Sequence, residues 1–172
     1  MLGLQRARQH LTTDPGKARV QLDELTGQIQ QAIAEVRRLV YNLRPPALDE
    51  LGLIGALTEK ARAFGQITVV GPGSSLQLPA AIEVAAYRIA LEAMTNIARH
   101  ASATEGGVEV SVDSAVHVEI SDNGRGLPAG YRAGVGILSM RERAAELGGQ
   151  CSVERGALVG TLIRATIPLE SP

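Results

Sequence analysis

Apolar residues recur along the first part of the chain at Leu22, Leu25, Ile29, Ile33, Val36, Val40 and Leu43. The steps between them are 3, 4, 4, 3, 4 and 3 residues, with Leu39 widening the stripe beside Val40. That spacing predicts one long helix with a coiled-coil-like seam. Asp14 is suited to cap its start and Pro15 to occupy its first turn. A shorter helix is expected before it, up to about Leu11, so the two form a hairpin. The seam is longer than the first helix can cover. It packs either within one chain or in a dimeric bundle, and the imbalance favours the dimer. Arg44-Pro45-Pro46 ends this pattern, because proline cannot continue a helix and restricts the residue before it.

Beyond the prolines the periodicity alternates. A helix is expected over Leu53–Phe64, and a short strand over Gln66–Val70. A long helix follows over Pro79–His100. Ile82, Ala85, Ala86, Ile89, Ala90, Ala93 and Ile97 share one face of it, which should be buried. Gly107–Val112 and Val116–Ser121 alternate as strands and turn at Asp113-Ser114. A glycine-rich loop spans Asp122–Ala133. Gly134–Leu147 is expected as a helix stopped by Gly148-Gly149. Gln150–Arg155 and Thr161–Pro168 are closing strands. The sum is an α+β fold, a mixed and mostly antiparallel sheet covered by helices and preceded by a helical hairpin.

Composition narrows the function. The chain of 172 residues is 45% hydrophobic and only 2% aromatic, so its core is aliphatic. The scarcity of aromatics leaves no stacking platform for single-stranded nucleic acid. A net charge of −1 lacks the basic excess of a nucleic-acid binder, so no direct nucleic-acid binding is expected. The single cysteine, Cys151, excludes an intrachain disulfide and a multi-cysteine zinc site. No apolar run reaches the ~18 residues of a membrane span, and Met1–His10 lacks the apolar core of a signal peptide. A cytoplasmic location is expected, as a whole protein or as the cytoplasmic part of a larger sensor.

Three stretches carry chemistry. Asn96 lies 4 residues after Glu92, and Arg99 and His100 lie 3 and 4 residues after Asn96, so a helix puts a carboxylate, an amide, a cation and an imidazole on one face. Such a set can hold a metal–phosphate group, although a solvated polar face has the same spacing. Next, a strand delivers Asp122 into Asn123-Gly124-Arg125-Gly126. Glycine there permits close backbone approach, and an ionised carboxylate accepts from an exocyclic amine such as that of adenine. An ordinary Asp-Asn-Gly turn reads the same way. Third, Gly134-Val135-Gly136 opens a helix whose first N–H groups can face an anion. The glycines do not follow a first parallel strand, which disfavours a Rossmann dinucleotide site.

In this order the three stretches resemble the ATP-binding domain of the GHKL superfamily, a two-layer α/β sandwich. Within it, the chain resembles the sensor histidine kinases that pair with NarL-type response regulators. Glu92–His100 is similar to that family's N box, and Asp122–Gly126 and Gly134–Gly136 to its two glycine boxes. Glu35–Leu39, Leu43-Arg44-Pro45 and Leu51-Gly52-Leu53 resemble its passage from bundle helix to catalytic domain. Gly160-Thr161 resembles its closing strand.

The resemblance implies residues 1–44 as a partial dimerisation and phosphotransfer hairpin, and residues 45–172 as the ATP-binding catalytic domain. Asn96 would coordinate Mg²⁺ on the ATP phosphates, and Glu92 would orient or polarise the reacting group. Arg99 and His100 would lie near the phosphates. Asp122 would accept from the adenine amine, with Gly124, Gly126 and Thr161 nearby. Gly134 and Gly136 would let the lid-to-helix turn approach the phosphates. The lid is short, and Tyr131 is either a lid contact or simply an exposed side chain. The implied activity is transfer of the ATP γ-phosphoryl to a histidine, then relay to a receiver domain, from a homodimer joined through the hairpin.

One feature departs from the family pattern. Its kinases carry a histidine followed by an acidic residue on the first bundle helix, whereas His10 is followed by Leu11. His10 and His117 are expected to be surface residues. The phosphoacceptor is expected upstream of this chain, which should bind ATP and not phosphorylate itself. Two rival readings remain: a serine kinase of the anti-sigma-factor type, and an interaction module that binds no nucleotide. The hairpin argues against the first, and intact Asn96, Asp122, Gly124 and Gly126 against the second.

Overall fold

The computed structural model describes residues 44–73, 76–128, 130–156 and 159–169, with Asp14, Gly16, Lys17, Arg19, Val20, Leu22, Asp23, Glu24, Thr26 and Gly27 from the first segment. The chain divides into two compact units, Met1–Leu43 and Arg44–Pro172.

In the first unit the described positions from Gly16 to Gly27 are helical. Asp14 caps them as its position demands: the Lys17 N–H donates to Asp14 Oδ1 at 3.1 Å. His10, the expected first helix and the seam from Ile29 to Leu43 lie outside the described residues.

The second unit opens on α1, Pro46–Phe64. Its first turn was not expected from the double proline. Pro46 sits at the first helical position, where its missing N–H has no partner to lose. At Gly52 the chain takes φ 65 and ψ −179, a conformation open to glycine, and the helix changes direction there. Leu48 before the kink, and Leu53, Ala56, Leu57 and Ala61 after it, are all buried.

The sheet has five strands in the order β1-β2-β3-β5-β4. These are β1 Ile67–Val70, β2 Gly106–Val112, β3 Ala115–Asp122, β4 Gln150–Arg155 and β5 Thr161–Pro168. Only β1 and β2 run parallel; the other pairs are antiparallel. The mixed, mostly antiparallel sheet is therefore as expected.

Between β1 and β2 runs α2, Ala80–Asn96, and between β3 and β4 runs α3, Val135–Glu146. All seven positions of the expected apolar face, Ile82 through Ile97, are buried. Many are alanines, which let α2 approach the sheet closely. Val108, Val116, Val118, Ile120 and Ile167 meet them from the strands, and Met140 from α3. The opposite face of the sheet is polar, because side chains alternate along each strand. There Arg164 Nε contacts Glu119 Oε2 at 2.8 Å, and His117 faces Thr166 Oγ1 at 3.2 Å.

The long helix ends differently from its expected form. After Asn96 the chain continues through Ile97–Ala101 in the wider i→i+5 pattern of a π-helix. Ser102 then takes φ 51 and ends it.

Candidate functional site

Four pieces of chain converge on one cleft of about 790 Å³, within the usual range for a small-molecule site. They are the C-terminal half of α2 with the π-turn, the turn leaving β3, the segment entering α3, and the facing ends of β4 and β5. Glu92, Asn96, Arg99, His100, Asp122, Gly126, Gly134, Gly136 and Thr161 all line it. Of the residues named from sequence, Gly124 alone does not.

The turn leaving β3 is pinned to the end of the π-turn. The Arg125 N–H donates to the Ala101 carbonyl at 2.9 Å, taking up a carbonyl that the helix end leaves free. A side chain on Gly124 would strike that same carbonyl, so Gly124 is there for packing and faces Ala101 instead of the cleft. Asn123 supplies further ties. Its Oδ1 accepts from the N–H groups of Thr104 and Glu105 at 2.9 and 3.0 Å, and its Nδ2 donates to Thr104 Oγ1 at 2.9 Å. Asp122 Oδ1 accepts from the Gly124 N–H at 2.8 Å, which orients the carboxylate and leaves acceptor capacity for a ligand.

The floor beneath Asp122 is built from glycines. Gly126 takes φ 68 and Gly160 φ 78. A Cβ on Gly126 would lie 2.7 Å from the Gly160 carbonyl oxygen, and one on Gly160 would collide with the backbone oxygen of Asp122. The buried Gly160 thereby brings Thr161 against the end of β3.

The second glycine turn divides its two positions. Nothing approaches within 4 Å of a side chain placed on Gly134. A side chain on Gly136 would collide with Glu92 Oε1. The bare Cα of Gly136 therefore leaves the space that the Glu92 carboxylate occupies beside the first turn of α3.

The cleft also contains residues that the sequence reading did not assign. Arg125 and Arg155 bring its guanidinium side chains to three with Arg99, beside the His100 imidazole. Arg155 Nη2 reaches the Leu127 carbonyl at 3.4 Å, tying β4 to the segment after the first glycine turn. Val153 and Ile163, paired across β4 and β5, join Ile137, Leu127 and Pro128 as apolar wall. Their apolar character was legible, but only strand register turns them toward the cleft.

No trio of His, Cys, Asp or Glu able to hold a metal occurs among the described residues. The donors that are present suit Mg²⁺ nonetheless. That ion is usually held by one or two protein oxygens and by substrate phosphates, without an all-protein cage. Glu92 and Asn96, one helical turn apart in the cleft, offer a carboxylate and an amide oxygen.

An apolar slot, an orienting carboxylate and a cation-rich mouth beside a helix start define a nucleotide-binding ATPase domain. Residues 81–171 match the model of the family described as histidine kinase-, DNA gyrase B-, and HSP90-like ATPase, and residues 1–48 match the histidine kinase model. The chain belongs to that ATPase family, on its histidine kinase branch.

Two curated relatives illustrate the match. The signal transduction histidine-protein kinase/phosphatase DegS of Brevibacillus brevis is 31% identical over 157 residues, covering 87% of this chain and 41% of its own length. The sensor histidine kinase MctS of Rhizobium johnstonii is 32% identical over 167 residues, covering 91% of this chain and 36% of its own. The chain thus spans about two fifths of the length of these relatives. Among solved structures, the ATP binding domain of PrrB from Mycobacterium tuberculosis superposes with a TM-score of 0.52 at 25% identity, over 71% of this chain and 93% of that one. The histidine kinase domain of a blue-light activated kinase from Erythrobacter litoralis has the same fold, with a TM-score of 0.56 at 23% identity, over 72% of this chain and 69% of that one.

Proposed function

We propose that this chain is the Mg-ATP-binding catalytic part of a two-component sensor kinase, with residues 1–44 as dimerising hairpin and 45–172 as catalytic domain. The intact kinase transfers the γ-phosphoryl group to a histidine nitrogen and then to an aspartate on a NarL-type receiver domain. The observation that carries this reading is the convergence of the N-box side chains, Asp122 and Thr161 on one cleft.

In this mechanism the apolar wall of Val153, Ile163 and Ile137 takes the adenine ring. Asp122, fixed by the Gly124 N–H, accepts from its amine. Arg99, His100 and the start of α3 face the phosphates, whose charge they offset. Glu92, held beside Gly136, orients or polarises the attacking imidazole. Asn96 would hold Mg²⁺, which when bound neutralises charge on the β- and γ-phosphates. The P–O bond to ADP breaks as the P–N bond forms.

Calorimetry of Mg-ATP and ADP on this chain and on Asp122→Asn tests the site. Binding by the parent and weakening of about ten- to a hundredfold in the variant are expected, the size of a lost hydrogen bond to a charged group. A parent chain that binds neither nucleotide would sink the reading.

A further inference from the structure

Asn123 stands between Asp122 and Gly124 but does not line the cleft. Its side chain is turned instead to residues 102–105, the loop that joins the π-turn to β2. That loop opens with Ser102 at φ 51. A residue with a Cβ holds such a left-handed backbone only where its surroundings over-determine it.

Asn123 supplies much of that constraint. Its Oδ1 gathers the N–H groups of Thr104 and Glu105, and its Nδ2 donates to Thr104 Oγ1. Its own N–H donates to the Glu105 carbonyl at 3.1 Å. Two residues on, the Arg125 N–H takes the Ala101 carbonyl, and one residue back Asp122 pairs with Gly106. The turn over residues 122–125 is thus laid along the loop, with Asn123 providing the side-chain ties. These side-chain bonds are open to water, so each adds little to stability. Their common effect is on position. The Gly124 N–H that orients the Asp122 carboxylate belongs to the peptide leaving Asn123, so holding residue 123 holds that donor.

We propose that Asn123 is a positioning residue for base recognition: it ties the turn carrying Asp122 to the loop after the N box, and so holds the carboxylate where it selects the adenine amine. This rests on the ATP-site reading above and extends it to a residue outside the cleft.

The readout is the ratio of ADP to IDP affinity, measured by calorimetry, because IDP carries an oxo group where ADP carries the amine. The parent should prefer ADP about ten- to a hundredfold, the size of a hydrogen bond to a charged group. In Asn123→Ala that ratio should fall about tenfold, through loss of ADP affinity with IDP affinity near the parent's. Asn123→Asp keeps an oxygen for the Thr104 and Glu105 N–H groups and can accept from the Thr104 hydroxyl. It should keep the parent's ratio, even where its added charge weakens both nucleotides together. A purely structural role predicts an equal loss of both affinities in Asn123→Ala, and that unchanged ratio would overturn the proposal. So would a ratio in Asn123→Asp as low as in Asn123→Ala. Should Asn123→Ala not fold, Thr104→Val removes one tie from the loop's side and should lower the ratio about threefold, the scale of one neutral hydrogen bond; no change there would equally overturn it. A parent that binds ADP and IDP alike would instead sink the role of Asp122, and a parent that binds neither would sink the ATP-site reading itself.

Discussion

Gly136 lies in the first turn of α3 at the cleft and Gly160 just before β5, yet a methyl group on each would meet different material. On Gly160 it meets the backbone of Asp122 from a residue at φ 78, and neither the strand nor the turn can yield. Gly160→Ala should therefore lose about 2–4 kcal/mol of stability in urea titration, from overpacking and backbone strain together. On Gly136 the obstacle is the end of a flexible carboxylate side chain. Gly136→Ala should fold almost as well as the parent but displace Glu92. In the intact kinase, phosphoryl transfer should drop up to about a hundredfold, the scale set by small misplacements of reacting groups. Gly134→Ala, with open space around it, should leave stability nearly unchanged. The glycine pattern was legible in sequence. Which glycine guards a fold contact and which guards a functional side chain was not, because that depends on residues 38 and 44 positions away.

At the scale of elements, the β2–β3 hairpin was readable from alternation and from Asp113-Ser114. Its electrostatics emerged only with the fold. Asp113 Oδ1 accepts from the Ala115 N–H at 2.9 Å and faces His117 Nε2 at 3.1 Å. The Ala115 N–H first, and then His117, hold its carboxyl below the usual carboxylate range. A carboxyl with a depressed folded pKa contributes stability above its unfolded value of about 3.9, lost as pH falls through the folded value. The parent should thus lose more stability between pH 5 and pH 2 than Asp113→Asn does, measured by urea titration at each pH. The π-turn was invisible to periodicity, since the same five residues suit an α-turn. What stabilises the wider turn is tertiary: Arg125 takes the Ala101 carbonyl.

For the whole molecule, the prolines marked a boundary, and Arg44 shows how sharply it acts. Arg44 Nη2 meets Glu83 Oε2 at 2.5 Å, and Glu83 is buried within α2 with only 4% of its side chain exposed. Arg44 Nε meets Asp49 at 2.6 Å. The Arg44 side chain keeps 33% exposure, so solvent screens part of the pair. Arg44→Ala should still cost about 2–3 kcal/mol in urea titration, because a buried carboxylate is left without its partner. Residues 44–172 should accordingly fold and bind nucleotide by themselves, and should be more stable than 46–172. If the hairpin dimerises the chain, sedimentation should give a dimer for residues 1–172 and a monomer for 44–172. A monomeric full chain at high concentration would refute the dimer.

Periodicity and turn residues determined the five strands and the alanine-rich helix face, while the family resemblance named ten site residues, nine of which line the cleft. Those are local facts, set by side-chain spacing and by what proline and glycine permit. Tertiary structure alone decided that Gly124 packs against Ala101, that Gly136 makes room for Glu92, that Arg155 reaches Leu127 and that the Tyr131 hydroxyl is buried with no hydrogen-bond partner among the described residues. Each depends on the register and approach of segments distant in sequence, and no local pattern encodes the distance between two surfaces that meet only after the chain has folded.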